Sequence, residues 1–390
     1  MKILCLQSHP IQYFAPLFKS ISKESFCDFK VYYCTDSSIK GYIDNGFGKN
    51  VKWDIPLLEG YSYKFLKNYS PFPGTNLKIY NLINPGIVKA IIKDKPDIIW
   101  VYGWTYFTNW LAIITGKLSG SKVWMKCESP LNQELKKSTI TRFVKRIILQ
   151  YFLFKLVDKF LYIGEENKGF YLYYKVPSNK LIFSPYAIDN DRFSRAYDEF
   201  KSKKEYLKEQ LHIPVNSIVL LFSGKLIPKK HPLDLLKVFA QLHDPNLFLI
   251  FLGDGELRLS IEKSIIKEAI QNVIITGFVN QNEIPRYYMM ADIFILPSSI
   301  GETWGLVVNE AMNFGLPIIV SDMAGCAKDL VEHGRNGYIY SVGNINLLSE
   351  YIKELCSSFE KRKKFGLASK NKITEYSFDR IIHEIKINLI

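Results

Sequence analysis

Short runs of uninterrupted apolar residues recur along the chain, separated by helix-length stretches that are amphipathic or polar. In the first half the runs fall at residues 3–6, 30–34, 98–102, 122–126 and 160–163, and in the second half at 218–222, 247–252, 273–276, 293–296 and 317–320. Runs of this length, rich in β-branched and aromatic residues, predict strands apolar on both faces, as in a parallel sheet covered by helices on each side. The pattern therefore predicts an α/β chain with two such sheets, one per half. Residues 184–214 interrupt it, because hydrophobicity falls and charge rises there, so the domain border is expected at 188–195. The reading is a first domain over 1–190 and a second over 191–372.

Composition narrows the picture. The 390 residues exceed what one hydrophobic core serves, and 47% hydrophobic with 23% charged residues describes a globular chain. A membrane-spanning helix needs about 18 or more uncharged apolar residues, and even the run 147–157 is broken by Gln150 and Lys155. The start turns polar after Leu6, where a secretory signal would stay apolar, so a cytoplasmic location is expected. The six cysteines are scattered without the spacing of a zinc or redox site and read as reduced thiols.

Net charge is +13, and residues 1–195 carry all of the excess, with 28 Lys+Arg against 15 Asp+Glu. A polyanion, lipid surface or nucleic acid, is therefore expected to meet the first half only. Residues 135–160 sharpen this, since Lys136, Lys137, Arg142, Lys145, Arg146, Lys155 and Lys159 alternate with Phe143, Ile147, Ile148, Phe152 and Phe154. That is the pattern of a basic amphipathic helix lying on an anionic membrane. The plainer reading is a helix packed on its own sheet with its lysines in water.

The richest chemistry lies at 291–322. A buried strand runs into a Pro/Ser/Gly loop, a helix starts near Gly305, and Gly315 ends it before the next strand. Glu302 precedes the helix and Glu310 lies within it, seven residues between them, while the amides of Gly305, Leu306 and Val307 offer an anion site. Two acids near a helix start are also ordinary partners of the helix dipole. Asp189 and Asp191 have the spacing of an Asp-x-Asp metal motif, but they sit in the linker, and no metal site is expected.

Residues 296–344, with 223–239, 251–257 and 275–292 in the same order, resemble the C-terminal core of the retaining glycosyltransferases of family 4, the glycosyl transferases group 1. The resemblance is strong over about 215–345 and looser in the first half, where it rests on 8–18 and 184–193. It implies the GT-B fold, two facing Rossmann-like domains with the ligand cleft between them. A helix over about 373–390 is then expected to pack back on the first domain. The resemblance assigns Lys225 and Lys230 to the donor diphosphate, although Lys225 stands where the family has Arg and lacks its bidentate grip. Lys229 beside them reads as solvated. Glu310 is implied as the ribose contact, Glu302 as the contact to the transferred sugar, and Phe278 and Val279 as the nucleobase-facing segment. Ser223 and Gly224, with Gly253 and Gly255, would let the backbone approach the nucleotide sugar; both of the latter are equally readable as turn residues.

In the first domain His9, in a loop without the family's glycine pair, and Glu128, where relatives often have His, are candidate acceptor-side groups. His9 is alternatively a structural residue, and Glu128 a helix cap. The implied activity is retaining transfer of a sugar from a UDP- or GDP-sugar to a saccharide or lipid-linked acceptor in surface polysaccharide synthesis. No metal or other cofactor is implied, because fixed cations and amide dipoles balance the leaving-group charge. Other readings are an epimerase or phosphorylase of the same fold, or a non-catalytic nucleic-acid-binding protein. The Glu302/Glu310 block speaks against the last, and no nucleic acid partner is expected. The location implied is cytoplasmic, peripheral on the inner face of the cytoplasmic membrane.

Overall fold

A computed structural model describes residues 1–44 and 49–389. The contacts divide the chain into two compact units. The first contains Val51–Tyr186 together with the N-terminal segment Met1–Tyr42 and the last helix, Phe378–Ile387. The second is built on Ala187–Ser377.

The first unit holds a seven-stranded sheet of β1 (Lys2–Gln7), β2 (Asp28–Tyr33), β3 (Ser62–Phe65), β4 (Ile98–Tyr102), β5 (Lys122–Lys126), β6 (Lys159–Tyr162) and β7 (Leu181–Phe183). Its order is β3-β2-β1-β4-β5-β6-β7 and every neighbouring pair is parallel. The second unit has six strands: β8 (Ile218–Ser223), β9 (Leu247–Leu252), β10 (Val273–Gly277), β11 (Ile293–Leu296), β12 (Ile318–Ser321) and β13 (Gly337–Tyr340). They run in the order β10-β9-β8-β11-β12-β13, again all parallel. Both orders are the doubly wound arrangement, in which the chain reverses its direction of travel after three strands and leaves a crevice at the carboxyl ends of the two central ones.

The central strands coincide with the apolar runs because both of their faces are covered. Leu220 and Leu221 pair with Ile293 and Phe294, Leu4 and Cys5 with Ile99 and Trp100, and all eight are buried. Each unit has its own core, around Leu6, Val101, Met125 and Phe160 in the first and Phe222, Phe251, Ile295 and Ile319 in the second. Among the described residues no helix is long and apolar enough to cross a membrane.

Segment 135–160 differs from the single helix expected. It forms an α-helix over Thr139–Arg146, widens to a π-helical turn over Ile147–Phe152, tightens at Leu153–Lys155 and has entered β6 by Lys159. Ser138 starts it, its hydroxyl accepting from the Thr141 amide at 3.2 Å. Leu149, Leu153 and Phe154 turn inward, whereas Phe143, Ile147, Ile148 and Phe152 are exposed. The plainer reading, apolar side in and lysines out, therefore holds only in part: Leu149, Leu153 and Phe154 are buried and Lys136, Lys137 and Lys155 exposed, while four further apolar side chains also face water. Lys145 turns inward, pairing with the buried carboxylate of Glu134 at 2.8 Å.

Candidate functional site

The second unit gathers most of the candidate residues at the carboxyl edge of its sheet. The chain reverses between β8 and β11, and loops 224–230 and 297–305 leave those two strands side by side. Pro228 opens a single 3-10 turn ending at Lys230, and His231, at φ +50°, leads into a helix that begins with Pro232. Lys230 is thereby aimed across the reversal point, where its ammonium forms an ion pair with Glu302. Both side chains are only 11% exposed. The same Glu302 oxygen accepts from the hydroxyl of buried Ser298 at 3.2 Å. A half-desolvated pair of this kind holds its partners firmly, since removing either one strands the other charge.

Lys229 does more than stand in solvent. Its head is exposed yet donates to the Gly301 carbonyl at 3.1 Å, and its own carbonyl accepts from the Ser299 amide at 2.7 Å, so it stitches the two loops together. Burial lowers its pKa, Glu302 opposes that, and the like charges of Lys230 and Lys225 add to the lowering. Lys229 thus feels three charged neighbours, Glu302, Lys230 and Lys225. Ser223 is the buried end of β8, and the Gly224 amide donates to the Leu252 carbonyl at 2.9 Å. Gly253, at φ +151°, has no room for a side chain, because a Cβ would lie 1.9 Å from the Gly224 carbonyl oxygen. Gly255 donates to the Asp254 carboxylate at 2.9 Å. Phe278 and Val279 follow β10, half-buried at the same edge of the sheet.

Gly305, at φ +105°, turns the chain into the helix Leu306–Asn313, whose first amides have no intrahelical acceptor. Leu306 and Val307 are half-buried at that start. Glu310 lies deeper. It is 1% exposed and accepts from the Tyr288 hydroxyl at 2.7 Å, so it is fixed behind the first helical turn while Glu302 stands in front of it. Asp189 caps the helix Asn190–Phe200 through the Arg192 amide at 2.9 Å.

His9 and Glu128 belong to the first unit, at its own reversal point. Ser8 and His9 follow β1, Gly103 and Trp104 follow β4, and Glu128 follows β5, three neighbouring strands. His9 Nδ1 lies 3.0 Å from the Ser8 hydroxyl, and burial brings its pKa down to about 4. Glu128 accepts from Tyr186 at 2.7 Å. Burial raises its pKa, against that hydrogen bond and the nearby charge of Lys126.

Lys126 escaped the sequence reading. It ends β5 fully buried, its ammonium donating to the Ser184 hydroxyl at 3.0 Å, and burial brings its pKa down to about 7 against the pull of Glu128 and Cys5. A lysine closing a run of the type Val-Trp-Met is a signal that could have marked it, because a strand covered on both faces leaves that side chain no route to water. Ser298 and Tyr288, which hold the two glutamates, carry no such signal.

Residues 203–372 match the family model described as glycosyl transferases group 1. This segment is a group 1 glycosyl transferase domain. Spore coat protein SA of Bacillus subtilis (strain 168) is 31% identical to the chain over 199 residues, covering 48% of the chain and 52% of that protein. The UDP-Gal:alpha-D-GlcNAc-diphosphoundecaprenol alpha-1,3-galactosyltransferase of Escherichia coli is 26% identical over 270 residues, covering 67% of the chain and 66% of that protein. The chain thus spans about half to two thirds of the curated relatives it matches. Among solved structures, Anabaena Alr3699/HepE in complex with UDP and glucose superposes with a TM-score of 0.74 at 19% identity, covering 100% of this chain and 99% of that one. The fold is accordingly GT-B, with the group 1 domain as its C-terminal part.

Two measurements check this geometry without any substrate. In a double-mutant cycle of Lys230→Met and Glu302→Gln, urea denaturation is expected to give a coupling of about 1–3 kcal/mol, and additive losses would show that the pair contributes nothing. For His9, the unfolded chain takes up a proton near pH 6.5 that the folded imidazole accepts only near pH 4, so folding stability falls as pH drops through that window. The full effect is at most about 3 kcal/mol. His9→Gln is expected to flatten the stability profile between those two values, and an unchanged slope would contradict the assignment.

Proposed function

We propose that the chain is a retaining, metal-independent glycosyltransferase that moves a sugar from a nucleoside diphosphate sugar to a hydroxyl of a saccharide acceptor. Breaking a glycosyl phosphate bond leaves negative charge on the departing diphosphate and positive charge on the sugar ring. The observation that carries the reading is Lys230 held against Glu302 at one sheet reversal, with Lys229 reaching Gly301 and the Leu306–Asn313 helix starting directly after that loop. Those cations and amides are fixed before the charge develops, so little reorganisation is needed in the transition state. They take the role that a divalent ion fills in other transferases.

The sequence resemblance gives Glu302 to the transferred sugar and Glu310 to the ribose. Glu302 is paired with Lys230, and an incoming diphosphate would compete for that ammonium and free the carboxylate to turn toward the sugar. Glu310 reaches ribose hydroxyls only if its bond to Tyr288 is shared or exchanged. Uridine is favoured as the base, since HepE holds UDP and the Escherichia coli relative is named for UDP-Gal. That relative's acceptor, a diphosphoundecaprenol-linked sugar by name, supports a lipid-linked acceptor here and a role in surface polysaccharide synthesis. Glu128 and His9 are the acceptor-side candidates, with Tyr186 and Lys126 positioning Glu128.

The test is nucleotide release from a panel of UDP- and GDP-sugars with saccharide acceptors, with and without EDTA. Lys230→Ala is expected to lower kcat/KM by about 10²–10³, the usual loss of one electrostatic contact to a developing charge, while EDTA leaves the rate unchanged. Wild-type turnover in Lys230→Ala, or loss of activity with chelator, would overturn the reading.

A further inference from the structure

Lys126 is a cation in a place where a parallel sheet has no structural need of one. It is the last residue of β5, in register with Tyr102 at the end of β4, and is only 1% exposed. Its ammonium donates to the Ser184 hydroxyl at 3.0 Å and to the Ser184 carbonyl at 3.2 Å. An uncharged donor would hold Ser184 as well, and burying a charge for that purpose alone is costly. The contacts continue beyond Ser184. The ammonium lies 5.7 Å from the centre of the Tyr186 ring, and the Tyr186 hydroxyl donates to Glu128 at 2.7 Å. Lys126, Ser184 and Tyr186 thus form one support for Glu128, which is itself only half-buried.

The surroundings are rich in titratable groups, yet those groups are neutral. Phe14 packs against Tyr102 and Tyr186, with ring centres 4.9 and 5.7 Å away, and gives both an apolar cover. Cys5 of β1 acts on Lys126, Tyr13 of the loop after β1 on Tyr186, and Tyr102 of β4 on Tyr186 and Glu128. Cys127 and, from the helix Glu165–Tyr173, Tyr171 face Glu128 as well. Burial raises the thiols of Cys5 and Cys127 and the phenols of Tyr102, Tyr171 and Tyr186, so none of them carries charge near neutral pH. His9, in the loop after β1, is uncharged above about pH 4. Burial pushes the Glu128 carboxyl up, and the Tyr186 hydrogen bond and the Lys126 charge pull it back. Glu128 in turn supports the charge on Lys126 against burial, so the two titrate as a pair.

We propose that Lys126 is a positioning residue: its ammonium, anchored on Ser184 and packed on Tyr186, keeps Glu128 a carboxylate, so that the carboxyl edge of the first sheet presents a proton acceptor to an incoming hydroxyl. The use of that carboxylate rests on the transfer reading. In the transfer, the acceptor oxygen bonds to the anomeric carbon as the bond from that carbon to the phosphate oxygen breaks. The bonding pair leaves with the diphosphate, and the hydroxyl proton passes to a Glu128 oxygen. A Glu128 that is already protonated cannot take that proton. Lys126 touches neither substrate in this scheme and acts only through Glu128.

The experiment follows the Glu128 carboxyl directly, with the reaction beside it. In the full chain with isotope-labelled glutamate carboxyl groups, the Glu128 resonance is the one lost in Glu128→Gln. Its titration midpoint is then measured by NMR in the wild type, Lys126→Met, Lys126→Gln and Tyr186→Phe. Lys126→Gln keeps a donor for Ser184 and removes the charge. Both lysine variants are expected to raise the midpoint by about one pH unit or more, and Tyr186→Phe by a smaller step. The acid limb of the kcat/KM profile for transfer is expected to move up with it, so the lysine variants lose about tenfold or more below the limb and recover above it. A lysine that only holds Ser184 would leave Lys126→Gln like the wild type, and Lys126→Met would be slower at every pH with its limb in place. Urea transitions show which variants fold, and should neither lysine variant do so, Tyr186→Phe reads the support by itself. The proposal is overturned if the midpoint stays in place in the lysine variants, or in Tyr186→Phe where those do not fold. It is equally overturned if the midpoint moves and the acid limb does not. A midpoint that moves in a chain whose wild type transfers no sugar would sink the transfer reading alone and leave the hold of Lys126 on Glu128 standing.

Discussion

In the second unit everything follows from where the parallel sheet changes winding direction. Strands β8 and β11 lie side by side, but the chain leaves them toward opposite flanks of the sheet. The loops that emerge there have to be held by side chains, and the Lys230–Glu302 pair is the strongest tie available, assisted by the contacts of Lys229 with Ser299 and Gly301. The same tie concentrates positive charge and the start of the Leu306–Asn313 helix at one point. Holding the loops together and receiving a diphosphate are thus two uses of one electrostatic arrangement.

Much of this was legible in the residues, for identifiable reasons. Central strands such as 218–222 and 98–102 announce themselves because burial on both faces demands unbroken apolar runs. The edge strand Ser62–Phe65 does not, since it is open to water and reads as ordinary loop sequence. The short β7 and the Gly-Tyr-Ile-Tyr strand β13 escaped for want of a long apolar run. Glu302 and the Gly305 turn stood out through local spacing and Lys230 through the family resemblance, whereas the ion pair joining Lys230 to Glu302 spans 72 positions. Such a pairing cannot be read without the fold. Tyr288 holding Glu310, and Lys126 buried behind Glu128, belong to the same class, being contacts between elements rather than patterns within one.

The two units divide their surface chemistry unequally. The excess positive charge belongs to residues 1–195, where it accompanies exposed aromatic and aliphatic side chains. The group 1 domain is close to neutral overall, and Lys225, Lys229 and Lys230 lie together in the loop after β8. A sequence pattern showed that cations and apolar residues alternate over 135–160, but it did not show that Lys145 turns inward to Glu134 while Phe143, Ile147 and Phe152 stay exposed.

The most direct measurement of the central claim is a crystal structure of the chain with UDP. The account requires the diphosphate oxygens within hydrogen-bonding distance of the Lys230 ammonium and the amides of Leu306 and Val307, with Glu302 displaced from its lysine. A diphosphate bound elsewhere, leaving the Lys230–Glu302 pair intact, would contradict it.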